Sequence, residues 1–124
     1  MTVVGIIDYR AGNIRSIRNA FEHIGCETRL VTDAAELNGV SHVVLPGVGA
    51  FAFCMQRLSE SGMLPALERW ALVEHRPLLG ICVGMQLMAR RGLELGDHEG
   101  LNWMGGKVLP LVANGARGGV AHGG

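Results

Sequence analysis

The sequence predicts an α/β fold, an open and mostly parallel sheet with helices on both faces. Three observations predict it. Short apolar, β-branched runs recur along the chain, amphipathic helical stretches separate them, and glycine-bearing turns follow the runs ending near Asp8, Leu45 and Ile81. Alternation of strand and helix marks a parallel sheet, because parallel neighbours need a crossover between them. Ligands in such sheets bind beyond the carboxyl ends of the strands, which draws attention to those turns.

Thr2 to Asp8 reads as a strand buried on both faces. After the turn Tyr9-Arg10-Ala11-Gly12, Asn13 caps a helix whose apolar face is Ile14, Ile17, Ala20, Phe21 and Ile24, with Arg15, Arg18 and Glu22 opposite and Gly25 as its stop. Cys26 to Val31 is a second strand, and Asp33 with Glu36 has the spacing of a capping box for a short helix. Ser41 to Leu45 is a third strand ended by Pro46. Helices are expected from about Phe51 to Ser59 and from Pro65 to Glu74, where Arg76-Pro77 breaks the pattern. Leu78 to Ile81 is a fourth strand, leading into a helix over Met85 to Arg91 stopped by Gly92, and Lys107-Val108-Leu109 is one more strand. Glu94 to Gly100 reads as a loop. Residues 113–124 are glycine-rich without periodicity and read as a coil tail beyond a domain of residues 1–112.

Composition excludes several classes of function. The chain has 124 residues, one domain by length, and its 11 basic and 11 acidic side chains cancel. A neutral chain has no general attraction to nucleic acid or an anionic membrane. An apolar fraction of 48% with 18% charged residues is that of a globular protein. No apolar run reaches the roughly 18 residues of a spanning helix. The N-terminus lacks a basic region and Asp8 interrupts its apolar run, so no secretory signal is readable and the cytoplasm is the expected compartment. Cys26, Cys54 and Cys82 show no CxxC spacing and are expected to be reduced thiols. None of His23, His42, His75, His98 and His122 pairs at metal-ligand spacing.

Two stretches carry chemistry. Gly80-Ile81-Cys82-Val83-Gly84 is a G-x-nucleophile-x-G elbow with sulfur in the place of a serine oxygen. A strand that turns abruptly into a helix strains the nucleophile's backbone and leaves no room for flanking side chains. The helix then aims its first amides at the site, where they favour a thiolate and an oxyanion. A buried core cysteine beside turn glycines would read the same in isolation; the strand before and the helix after favour the nucleophile. The second stretch, Pro46-Gly47-Val48-Gly49, lets a peptide plane flip and bring N–H groups against a ligand, which suits an oxyanion hole and equally a tight strand-to-helix turn. Cys26 and Cys54 are read as core residues, Met85 and Met88 as fillers of core gaps, Arg90-Arg91 as a solvated helix end, and Asp8 as a residue that holds its loop.

Cys82-Val83-Gly84-Met85-Gln86 together with Pro46-Gly47-Val48-Gly49 resembles the class I (triad) glutamine amidotransferases. Asp8-Tyr9-Arg10-Ala11-Gly12-Asn13, Leu101-Asn102-Trp103-Met104 and Gly106-Lys107-Val108 narrow the likeness, over about Thr2 to Leu111, to the glutaminase subunits of imidazole glycerol phosphate synthases. The resemblance implies a flavodoxin-like sheet, incomplete at its C-terminal side, and the hydrolysis of glutamine to glutamate and ammonia. Cys82 would form the glutamyl thioester. Val48, Gly49 and the Val83 amide would make the oxyanion hole, while Gly47, Gly84 and Gln86 would bind substrate. Gly12 and Asn13 would face a cyclase subunit with a (β/α)8 barrel, which forms a heterodimer with the glutaminase and uses the ammonia to make imidazole glycerol phosphate and AICAR in histidine biosynthesis. The family uses no metal and no organic cofactor. Its triad histidine and glutamate lie beyond the matched region, so the alternatives are an inactive truncated remnant or interaction module, a paralogous amidotransferase serving amino-sugar synthesis, and a small redox or hydrolytic thiol protein.

Overall fold

The structure, a computed structural model, describes residues 1–93, 98–103 and 105–108. Leu109, His122 and the tail expected over 113–124 lie outside the described residues. Strand β1 (Val3–Ile7) is buried along its whole length. It runs parallel to β2 (Glu27–Val31) on one side and to β3 (His42–Leu45) on the other, and β3 in turn pairs with β4 (Leu78–Gly80), giving the order β2-β1-β3-β4.

Side-chain alternation along the strands builds two cores. Val3, Ile7, Val31, Val43 and Leu45 point to one face, where α2 (Phe51–Glu60), α3 (Leu64–Glu68) and a π-helical stretch (Arg69–Val73) supply Phe51, Cys54, Leu58, Leu67 and Trp70. Val4, Ile6 and Val44 point to the other face, against Ile14, Ile17 and Phe21 of α1 (Ile14–His23). Asn13 caps α1, its side-chain oxygen accepting from the Ser16 N–H at 3.4 Å. Ala20 and Ile24, expected on the apolar face, are exposed: the apolar contacts of α1 with the sheet run through Ile14, Ile17 and Phe21, while Arg18 and Glu22 are hydrogen-bonded to Thr28 of β2. The capping box of Asp33 and Glu36 is present and opens a 3-10 helix (Ala34–Gly39).

The segment after the elbow departs from expectation. The helix is only α4 (Val83–Gln86), and Ala89–Gly92 is strand β5 rather than a helix end. Backbone partners from the segments that follow take it over. β5 pairs antiparallel with β6 (His98–Glu99) and parallel with β7 (Gly105–Val108). The N–H groups of Leu101, Asn102 and Trp103 donate to the carbonyls of Leu87, Ala89 and Met88 at 2.8–3.0 Å. Gly92 does not stop a helix; a Cβ there would meet the Phe51 ring at 2.5–2.8 Å, so strand and α2 touch face to face. Arg91 therefore belongs to a strand, His98 sits in a strand rather than a loop, and Met85 is 43% exposed instead of filling the core.

The strand order reverses between β1 and β3, because the chain leaves β1 toward β2 on one side and continues through β3 to β4 on the other. The crevice beyond that point is where an open sheet takes its ligand. It is bounded by the turn after β1 and the Pro46–Gly49 loop after β3. The two are in contact, since a Cβ on Gly12 would lie 2.9 Å from Pro46 Cβ.

Candidate active site

Cys82 sits between β4 and α4 with φ 54° and ψ −125°, a conformation that side chains rarely adopt and that stores about 1–3 kcal/mol of strain. Its thiol is exposed. Close backbone approach explains both flanking glycines. A Cβ on Gly80 would lie 2.6 Å from Met85 Cα, and one on Gly84 would fall on the Leu45 carbonyl, 2.8 Å from its carbon. The elbow thus lies directly against the end of β3, and only residues without side chains admit that contact.

The Pro46–Gly49 loop is held by its carbonyls. Leu45 O accepts from Ile81 N–H at 3.0 Å and Gly47 O from Val83 N–H at 3.2 Å. Pro46 O accepts from the Tyr9 hydroxyl, and Val48 O from Cys54 Sγ at 3.3 Å. Val83, expected to offer its amide to an oxyanion, gives that amide to Gly47 O. The neighbouring Gly84 and Met85 amides are bonded to Ile81 O and Cys82 O. Val48 is 55% exposed, so its side chain faces solvent while its carbonyl stays bonded to Cys54, and Gly49 turns the chain with φ 93°. Gln86 is one turn beyond Cys82 on α4 and half-buried.

Tyr9 and Cys54 were not legible as site residues. Both are buried, at 3% and 0% exposure. Burial, then the neighbouring Cys54, pushes the Tyr9 phenol well above its ordinary pKa, and burial likewise raises the Cys54 thiol. Both are therefore neutral donors at physiological pH. The available signal was Tyr9 itself: an aromatic with a polar tip at the end of a fully buried strand must find a partner for its hydroxyl.

Asp8 holds its own loop, its carboxylate accepting from Arg10 N–H at 3.3 Å. Arg10 has φ 67° and Gly12 φ 120°, so the turn that carries Gly12 and Asn13 is sharply bent. A cleft of about 530 Å³ beside this turn is lined by Asp8, Tyr9, Arg10, Thr32, Arg57, Glu60 and Ser61, and no elbow residue lines it. Ser41 Oγ and His42 Nδ1 are hydrogen-bonded at 2.8 Å, so His42 is engaged beside β3.

Fold and elbow together define a class: an open parallel α/β protein with a strained, solvent-facing cysteine at the carboxyl edge of its sheet. The comparisons with known proteins specify it further. The family model for glutamine amidotransferase class-I matches residues 5–119, and the chain belongs to that family. It is 52% identical over 117 residues to imidazole glycerol phosphate synthase subunit HisH of Zymomonas mobilis subsp. mobilis, covering 91% of this chain and 55% of that protein. It is 48% identical over 112 residues to the protein of the same name from Rhodospirillum rubrum, covering 85% and 52%. The chain therefore spans about half the length of the curated relatives it matches. A crystal structure of a glutamine amidotransferase superposes with a TM-score of 0.71 at 23% identity, covering 92% of this chain and 59% of that one, and supports the fold.

Proposed function

We propose that this chain is the nucleophile-bearing part, through about residue 112, of a glutaminase subunit that feeds ammonia to a cyclase making imidazole glycerol phosphate. The observation that carries the reading is Cys82, held at φ 54° and exposed between two glycines that backbone contacts require. The names of the relatives support the choice of synthase. In this reading the Cys82 thiolate attacks the carboxamide carbon of glutamine. The C–N bond breaks, ammonia leaves with a proton supplied by a general acid, and water hydrolyses the thioester to glutamate. Gly47, Gly84 and Gln86 border the substrate.

The oxyanion would be held by the amides of Val83 and of Val48 or Gly49. Because Val83 N–H is bonded to Gly47 O, the Gly47–Val48 peptide has to rotate before that amide can serve. The turn bearing Gly12 and Asn13 touches the same loop through Pro46 and is the proposed docking point for a cyclase with a (β/α)8 barrel. No helix among the described residues is long and apolar enough to cross a membrane.

The test is glutamate release from glutamine with a cyclase subunit present. Joined to the remaining half of the Zymomonas relative, the chain is expected to turn over, and Cys82→Ala to abolish turnover. The 124-residue chain alone is expected to be slower by about 10² to 10⁴, the usual contribution of a general acid–base group. A chimera that binds cyclase yet releases no glutamate would leave the chain as an interaction module.

A further inference from the structure

We propose that Tyr9 and Cys54 are positioning residues that clamp the Pro46–Gly49 loop in the state where Gly47 O covers Val83 N–H. The loop's successive carbonyls are bonded in turn to Ile81 N–H, the Tyr9 hydroxyl, Val83 N–H and the Cys54 thiol. Each bond fixes one peptide plane. The plane that must rotate to free the Val83 amide is Gly47–Val48. Its two neighbours, Pro46–Gly47 and Val48–Gly49, are the ones held by Tyr9 and Cys54. The donors come from outside the loop: Tyr9 from the turn just beyond β1 and Cys54 from the first turn of α2.

The clamp sets how often and how widely the middle plane opens. With both flanking planes pinned, opening is confined to one peptide pivoting at Gly47 and Val48. Gly47 lies against the elbow, where a Cβ would meet Gly84 N at 2.5 Å and the Tyr9 hydroxyl at 3.1 Å. Loss of either pin lets the loop leave as a unit and uncovers Val83 more often. The inference rests on the reading of Val83 N–H as an oxyanion donor, but its test needs no glutamine and no turnover.

The experiment is amide hydrogen exchange of the 124-residue chain, resolved at Val83 and at Ile6 and Val44 in the central strands. Tyr9→Phe removes one hydroxyl and is expected to speed Val83 exchange roughly fivefold, the equivalent of one lost buried hydrogen bond, with Ile6 and Val44 unchanged. Cys54→Ala is expected to act likewise, and Cys54→Ser, which keeps a donor, to restore the original rate. If Tyr9→Phe does not fold, the Cys54 pair decides. Val83 exchange that stays at the wild-type rate, or that rises by the same factor as Ile6 and Val44, overturns the clamp, the second outcome showing general loosening. Glutamate release by the chimera is scored separately, so an inactive Cys82 and an absent clamp give different results.

Discussion

Cys82 pays in conformation for its place at the site. The strain of about 1–3 kcal/mol at its positive φ exceeds the roughly 0.5–1 kcal/mol of chain entropy that a glycine would lose on folding there. Its side chain is exposed, so little burial is lost with it. Cys82→Gly is therefore expected to stabilise the fold by about 1 kcal/mol while Cys82→Ala leaves it nearly unchanged. Urea denaturation of the two variants reads the difference in midpoint; equal midpoints would mean that the elbow stores no strain. Tyr9 and Cys54 make a second case at this scale. Both are held neutral, with folded pKa values raised above the ordinary 10.0 and 9.0. The unfolded chain ionises first, so the Cys54 contribution is complete below about pH 9 and the Tyr9 contribution below about pH 10, and each is lost as pH rises beyond that. Thermal melts between pH 8 and 11 should fall steeply, and Tyr9→Phe should flatten the upper part of that fall; a parallel curve for the variant would refute the assignment.

At the scale of elements, the parallel sheet was legible because its strands carry their own signal. Val3 to Ile7 and His42 to Leu45 are apolar runs too short for helices, and Asn13 and Asp33 cap the next helices in the chain through local hydrogen bonds. The part that was not legible depends on strand pairing with the segments that follow it. Ala89 to Gly92 continues the helical pattern of the elbow, yet it becomes a strand because residues 98–99 and 105–108 pair with it. The engagement of the Val83 amide by Gly47 is non-local: the motif shows two glycine turns, and only the fold shows that one closes on the other. Close approach gives a test of that contact. Gly84→Ala puts a Cβ onto the Leu45 carbonyl, which is backbone and cannot swing away, whereas a Cβ on Gly25 meets nothing and carries only the penalty of its φ of 89°. Gly84→Ala should cost about 3 kcal/mol or more and Gly25→Ala about 1 kcal/mol. Similar losses in chemical denaturation would place the elbow away from β3.

At the scale of the whole molecule, the two faces of the sheet are covered unequally. One face is closed by α2, α3 and the π-helical stretch. The other has α1 over β1, while Leu79 of β4 is 53% exposed at the rim of an apolar groove of about 360 Å³ that also takes in Val4, Phe21, Cys26 and Val44. Among the described residues β4 pairs only with β3, so its outer edge offers unpaired backbone groups beside an apolar face. That combination favours edge-to-edge association. Leu79 is half in water, so its replacement removes only about 1 kcal/mol of burial, while a lysine at the same point opposes pairing of two edges by charge repulsion. The 124-residue chain is accordingly expected to self-associate at about 100 μM and to bind a hydrophobic dye, and Leu79→Lys to reduce both at a stability cost of no more than about 1 kcal/mol. Sedimentation velocity at several concentrations measures the first and dye fluorescence the second. A wild-type chain that remains monomeric and dark would show that the groove is too small to drive contact. In the chimera with the relative's remaining half, a Leu79→Lys penalty of about 2 kcal/mol or more would show that the added half packs onto this face.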